Sequence, residues 1–354
     1  MKLTINSRVL KAALESANRA VNPKASTPIL ANFHISCGNG YLVVTGTDTN
    51  NTIVETVPCE GEGTAVLPLN LLELVRALPD GEVSIATDAT SATINWANGH
   101  SSIPCFEDKD YPTIASIPDT APIVVKAQDF AKTAGRAIPF VADDQLRPVL
   151  GGVLFRTNGD HIDIVATDTR SLAIFPLKAE GDIDAVIPVG AIKSALGGNS
   201  DIEIYTAKDN ICFRTGTTTV IARSIIGKFP NYESVVPKTF TSHLKADKAS
   251  FKDAIHRVGV CSSKATGHIK LNLGVFESTI EAQDLAMGTT AKERPLGLTY
   301  DSADFSVGFK DDNLVKAISV FDGEVTIGFN DPKKATLVSS ENDDAVIVVM
   351  PVAI

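Results

Sequence analysis

Two stretches of this chain repeat each other at a fixed distance of 120 residues. Thr27-Pro28-Ile29-Leu30 leads to Thr45-Gly46-Thr47-Asp48, and Arg147-Pro148-Val149-Leu150 leads to Val165-Ala166-Thr167-Asp168. Proline and aspartate are 20 residues apart in both. Two markers that hold register over such a gap imply a duplicated domain. A chain that repeats a whole domain is more often building a symmetric assembly than a single catalytic cleft.

Hydrophobic periodicity extends the repeat to a third copy. Each copy opens with an amphipathic helix. The first is expected over Ser7 to Val21, with Ser7 as its N-cap and Val9, Leu10, Ala13, Leu14, Ala17 and Val21 on one stripe. The second is expected over Ala127 to Val141, with Phe130, Ala131, Ala134 and Ile138 inward, and the third over Asp247 to Val260, with Phe251, Ala254, Ile255 and Val258 inward. Alternating strands follow each, then a second helix (Asn70 to Leu78, Gly190 to Leu196, Asp312 to Phe321), then more strands. The third copy is the most worn: Ile269 takes the proline position and the Thr-Asp signature is gone. A chain of 354 residues suits this division. Turn-rich stretches at Ile117 to Pro122 and Pro237 to Thr241 set the expected domains at 1–119, 120–241 and 242–354.

The five cysteines are scattered, with no Cys-x-x-Cys pair, and no histidines sit at metal-ligand spacing. That fits reduced thiols and argues against a zinc site or disulfide framework, so no metal or cofactor is expected. Met1 to Arg8 lacks the apolar run of a secretion signal. The longest apolar stretch, Ala345 to Ile354, is half of what spans a bilayer and contains Pro351, so it reads as a buried final strand. The expectation is a cytoplasmic protein without membrane contact.

Net charge is −10, which by itself argues against nucleic acid. The opening helices depart from it. With Lys11 and Arg19 the first carries +2; Lys132 and Arg136 leave the second at +1, and Lys252 belongs to a third of +1, while the rest of the chain carries −14. Each of these helices, taken singly, also reads as an ordinary solvated face. Three equivalent helices, all positive on an acidic background, also describe an acidic exterior with a basic lining.

Catalysis finds little support. Asp48 and Asp168 have no recurring histidine or lysine beside them, and Thr-Asp suits a turn in which the carboxylate accepts backbone N–H groups. Neither a phosphate-binding Gly-x-x-x-x-Gly-Lys loop nor a Gly-x-Ser-x-Gly elbow is present. The chain is not expected to be an enzyme. A repeat scaffold that binds only proteins would share the acidic surface, but has no reason to carry positive helices.

The two repeated stretches, together with Gly151-Gly152-Val153-Leu154, Lys228-Phe229-Pro230-Asn231-Tyr232 and Val348-Val349-Met350-Pro351, resemble the bacterial DNA polymerase III β subunit, the sliding-clamp family, over the whole chain. The resemblance implies an α+β fold of three clamp domains, each with two helices on antiparallel sheet, closing as a head-to-tail homodimeric ring around double-stranded DNA of any sequence. It implies a processivity factor for DNA replication whose partners, through short linear motifs, are the DNA polymerase III α subunit, the clamp loader, other polymerases and repair proteins. Lys24 matches a DNA-touching position, though it also reads as an ordinary exposed loop lysine. Arg147 falls in the same rim region and Lys193 near another, where Pro188-Val189-Gly190 replaces a common Arg-Lys pair. The partner-peptide groove would comprise Leu150, Thr167, Thr169, Arg170, Leu172, Pro230, Val235, Val348, Met350, Pro351 and Val352; several of these, Leu150 and Val348 above all, also read as plain domain-interface core. Thr169 stands for a usual glycine, expected to narrow the groove. Ser171 and Ser234 stand for arginines, and Arg170 would supply some of the lost charge. The ring contact would join an edge strand near Ser101 and Ile103 to the third domain near Val260 and Cys261, with Cys261 a small buried hydrophobe.

Overall fold

The computed structural model describes residues 1–354 except Ala115, Asn199, Lys208 and Ile354. Copy one runs as the strand Lys2–Asn6, helix α1 (Ser7–Asn18), strands Asn32–Gly38, Tyr41–Thr47, Asn51–Pro58 and Glu60–Pro68, helix α2 (Asn70–Ala77), and strands Glu82–Thr87, Ser91–Trp96 and Gly99–Pro104. Copy two repeats this order with the strand Ile123–Val125, helix α3 (Ala127–Phe130), strands Gly152–Asn158, His161–Thr167, Ser171–Leu177 and Asp184–Pro188, helix α4 (Val189–Ala195), and strands Ile202–Thr206, Asn210–Thr215 and Thr218–Arg223. Copy three has the strand Ser242–Asp247, helix α5 (Lys248–Gly259), strands His268–Leu273, Thr279–Asp284, Thr289–Glu293, Leu298–Tyr300 and Phe305–Lys310, helix α6 (Asp311–Ser319), and strands Glu324–Phe329, Thr336–Ser340 and Asp343–Val349. Its additional strand arises because the segment matching Glu60–Pro68 is split, one half pairing with Ser242–Asp247 and the other with His268–Leu273.

Contacts group the chain into two compact units: Met1–Ala131 with Ala179–Gly181 and Ile187–Ser224, and the remainder. The first contains a twelve-stranded sheet in which Asn51–Pro58 of copy one pairs antiparallel with Thr218–Arg223 of copy two. The second contains a nine-stranded sheet, in which Ser171–Leu177 of copy two pairs antiparallel with Asp343–Val349 of copy three, and a separate four-stranded sheet. Each unit therefore holds one joint between successive copies.

The helices bury the stripes their periodicity predicts, with local corrections. In α1, Leu10, Ala13, Leu14 and Ala17 are buried, each large side chain contributing roughly 1.5–3 kcal/mol by leaving water. Val9 is exposed. Asn6, not Ser7, caps α1 by accepting from the Arg8 N–H, while the Ser7 hydroxyl donates to the Pro79 carbonyl. In α5 the buried set is Phe251, Ala254, Ile255 and Val258, and Asp247 is the cap. The second opening helix is not α-helical to Val141. It is α over Ala127–Phe130, π over Ala131–Gly135 and 3-10 over Ile138–Phe140. Pro139 explains this, since it removes an N–H and crowds the carbonyl one turn earlier, and Gly135 adds little helical preference. The final strand is Asp343–Val349; Ile354 lies outside the described residues.

Candidate partner-binding groove

The duplicated Thr-Asp signature builds a turn, twice, with the same bonds. The Asp48 carboxylate accepts from the N–H groups of Asn50 (2.9 Å) and Asn51 (2.6 Å), and Asp168 accepts from Arg170 (2.9 Å) and Ser171 (2.6 Å). Thr47 and Thr167 each accept from the backbone N–H two residues on and donate to a carbonyl four residues on. The residues after the aspartates, Thr49 and Thr169, adopt φ of 75° and 72°. This left-handed conformation strains a β-branched side chain, and the surrounding bonds hold it. Copy three keeps the device after all: Asp284 accepts from the N–H groups of Ala286 and Met287 at 2.9 and 3.2 Å. The sequence hid it, because Gln283 precedes it in place of threonine and the loop is two residues longer.

The second turn leads into a strand that belongs to an apolar cluster. Leu150, Leu154, Val165, Leu172, Val186, Phe229, Tyr232 and Val348 form one buried cluster. Leu150 arrives on a 3-10 turn begun by Pro148, Leu172 on the strand after the turn, and Val348 directly opposite Leu172 across the ladder. The Met350 N–H donates to the Arg170 carbonyl at 2.8 Å and the Val352 N–H to the Gly308 carbonyl at 2.9 Å, which carries the chain past Pro351 along this edge. Met350 and Val235 are 38% and 52% exposed, a large apolar area left in water beside a finished core. Pro230, Thr169 and Arg170 are exposed and Thr167 is half-buried. The structure thus brings Leu150, Leu172 and Val348 into one buried cluster and leaves Thr169, Arg170 and Met350 exposed.

The loop carrying Pro230 and Val235 is anchored from beneath. Asp163, 5% exposed, accepts from the Tyr232 hydroxyl (2.8 Å) and the Asn158 amide (2.9 Å), and His161 Nε2 lies 3.1 Å away. Burial, and then the bond to Asp163, push the Tyr232 phenol well above its usual pKa. Arg156 stacks over the Tyr232 ring at 6.0 Å while pairing with Asp184. A hydrogen bond to Asp160 raises the His161 pKa above its ordinary 6.5. Sequence reasoning missed Asp163 and His161 as supports, since nothing in their local pattern separates them from other strand residues.

The cations expected to face DNA fall into two groups. Lys24, Lys132, Lys193 and Lys252 are exposed, Lys11 is half-buried, and none has an ion pair among the described residues. The arginines are engaged. Arg19 donates to the Ser194 carbonyl near the end of α4 (3.2 Å), and Arg136 donates to the Val320 carbonyl at the end of α6 (2.7 Å). A cation there also meets the negative end of each helix. Arg136 pairs with Asp343 at 2.8 Å and stacks 5.0 Å from the Phe175 ring, and Arg147 pairs with Asp144 at 2.7 Å. Of the residues expected at a subunit contact, Ser101 and Ile103 lie on Gly99–Pro104, a terminal strand of its sheet. Val260 is 73% exposed, and Cys261, half-buried rather than buried, accepts through its carbonyl from Thr289 on Thr289–Glu293, also a terminal strand.

Comparison with known proteins shows the family. Three models of one family match in order: the DNA polymerase III beta subunit N-terminal domain over residues 1–115, its central domain over 125–231 and its C-terminal domain over 233–353. The chain belongs to the DNA polymerase III beta subunit family. It is 24% identical to the beta sliding clamp of Staphylococcus epidermidis and 23% identical to that of Staphylococcus aureus, in each case over 99% of both chains. Among solved structures, a DnaN sliding clamp of Pseudomonas aeruginosa bound to griselimycin superposes with a TM-score of 0.95 at 24% identity, covering all of both chains. The Bacillus subtilis DNA polymerase sliding clamp superposes at 0.94 with 20% identity, covering 100% of this chain and 99% of that one.

Proposed function

We propose that the protein is a non-catalytic DNA sliding clamp, a head-to-tail homodimer of three-domain chains, divided at 1–119, 120–241 and 242–354, that encircles duplex DNA and tethers the replicative polymerase and other partners. One observation carries the reading. Two copies of a strand-to-strand joint lie inside the chain, and the strands that would make a third each have one open edge among the described residues. Asn51–Pro58 pairs with Thr218–Arg223, and Ser171–Leu177 pairs with Asp343–Val349. Thr289–Glu293 holds the same place in copy three as Asn51–Pro58 and Ser171–Leu177 in theirs, and Gly99–Pro104 the same place in copy one as Thr218–Arg223 and Asp343–Val349. Exposed edge strands invite pairing with another chain, and two complementary edges on one chain make a heterologous contact that closes when the rotation closes.

The internal joints also supply a register. Asn51 faces Ala222 and Ser171 faces Val349. Carried to the third joint, this puts Thr289 opposite Ile103 of the partner subunit and Ala291 opposite Ser101 of the partner subunit. Oxidation of Ser101→Cys/Ala291→Cys should give a covalent dimer of about twice the 37.4 kDa chain. A stable monomer at micromolar concentration would overturn the dimer.

Lys11, Lys24, Lys132, Lys193 and Lys252 would supply diffuse positive charge that holds DNA without fixing a register, as sliding requires. Arg19, Arg136 and Arg147 contribute to the same field while bonded to the protein. The apolar groove would take Leu and Phe anchors of partner peptides, with Met350 adapting to different partners. The complex of the Pseudomonas aeruginosa relative with griselimycin agrees with a ligand-binding clamp. With a clamp loader and primed circular template, added protein should lengthen the products of each polymerase binding event. Unchanged product length would contradict the assignment.

A further inference from the structure

We propose that Lys316 is a positioning residue for the peptide groove, holding the Thr169–Arg170 edge in place through Asp168; this rests on the groove reading above. Lys316 lies on α6, 148 residues from Asp168, yet its ammonium is 2.5 Å from the outer carboxylate oxygen of Asp168. Both side chains are about one-fifth exposed, and the ammonium also sits 4.9 Å from the centre of the buried Phe140 ring. The pair is thus partly withdrawn from water, where a charge-assisted bond is stronger than on an open surface.

The bonds form a continuous chain. Asp168 uses one oxygen for Lys316 and the other for the Arg170 and Ser171 N–H groups. The Arg170 carbonyl then accepts from the Met350 N–H, and Ser171 pairs with Val349. A third-copy helix is thereby linked to both sides of the groove edge. Among the described residues the first turn has no such strut: the outer oxygen of Asp48 accepts a longer 3.3 Å bond from the side chain of Asn51 in the same turn. Both turns strain a threonine at positive φ, so the strut is particular to the copy that borders the groove. Lys316 holds a conformation that Thr169 resists.

The test measures the affinity of a fluorescein-labelled Leu/Phe-anchored peptide by anisotropy, with sedimentation and thermal melting to establish that each variant is a folded dimer. Lys316→Met should weaken binding about tenfold, chiefly through faster dissociation. Asp168→Asn should do the same, and the double variant should be no worse than either. Lys316→Arg should restore most of the affinity. Thr169→Gly added to Lys316→Met should recover it, because glycine takes the left-handed conformation without strain. A merely structural lysine would lower the melting temperature without this pattern of rescue. Unchanged affinity in Lys316→Met, while Leu172→Ala/Met350→Ala abolishes binding, would overturn the proposal and leave the groove standing. Normal binding by Leu172→Ala/Met350→Ala would overturn the groove itself. Failure of Thr169→Gly to rescue would also overturn the proposal.

Discussion

The two joints inside this chain share a backbone and differ in what fills it. An offset of 120 residues relates them side chain by side chain. His34, Thr45, Thr52 and Glu55 in the first joint correspond to Leu154, Val165, Leu172 and Phe175 in the second. Across the ladders Ile221 faces Thr52, and Val348 faces Leu172. The first joint is polar. Buried Glu55 accepts from the hydroxyls of Thr217 and Thr218, and at the other end of the ladder a cleft of about 300 Å³ is lined by Thr47, Thr49, Asn50, Thr52 and Arg223 among others. The second joint is apolar and incomplete, its floor buried while Val235 and Met350 stay in water. The two joints therefore share a ladder and differ in a handful of side chains.

Exchanging the roles of the joints by substitution tests the contrast. Leu172→Ala/Met350→Ala should weaken Leu/Phe-peptide binding at least about a hundredfold while the dimer persists, whereas Thr52→Ala/Arg223→Ala in the first joint should leave peptide affinity unchanged. Equal losses in both would erase the distinction. Next in size is Glu55→Ala, expected to destabilise by about 2 kcal/mol in urea denaturation because it strips two hydroxyls of their acceptor. No loss of stability would mean the first joint is not held by this carboxylate.

Thr49→Gly and Thr169→Gly should each stabilise, by about 0.5 kcal/mol, since relief of left-handed strain exceeds the added chain entropy of glycine. Their similarity in melting experiments would show that the turns are alike and only their surroundings differ. The smallest effect concerns pH. His161, whose pKa is raised by its bond to Asp160, supports the Asp163–Tyr232 anchor, while its counterpart in copy one is exposed Tyr41. The raised value means that its contribution is complete below pH 6.5 and is lost as pH climbs through the folded-state value. His161→Gln should flatten that part of the stability profile, and an unaltered slope would remove His161 from the account.

Much of this was legible in the residues because repetition amplifies weak signals. A proline–aspartate spacing that recurs, and apolar stripes that return at the same place, locate helices and joints that one copy alone would not. What escaped was set by tertiary contact or by single substitutions within a pattern. Pro139 turned an expected α-helix into a π turn, and Asp284 kept the turn chemistry of a signature whose threonine had gone. Arg136 counted as free charge until its partners Asp343 and Val320, remote in sequence, were in view. Lys316 gave no local hint, since its partner lies in another copy. The groove residues came from the family resemblance and not from strand alternation, and the polarity of the matching first joint gained meaning only once the two were aligned in register.

The central claim is topological, and DNA ends test it. The protein should be loaded by its clamp loader onto nicked circular plasmid, separated from free protein by gel filtration, and followed before and after a single restriction cut. The account predicts that it elutes with the circle and is released on linearisation, because a ring can leave only over an end. Failure to elute with the circle, or retention that survives linearisation, would contradict it.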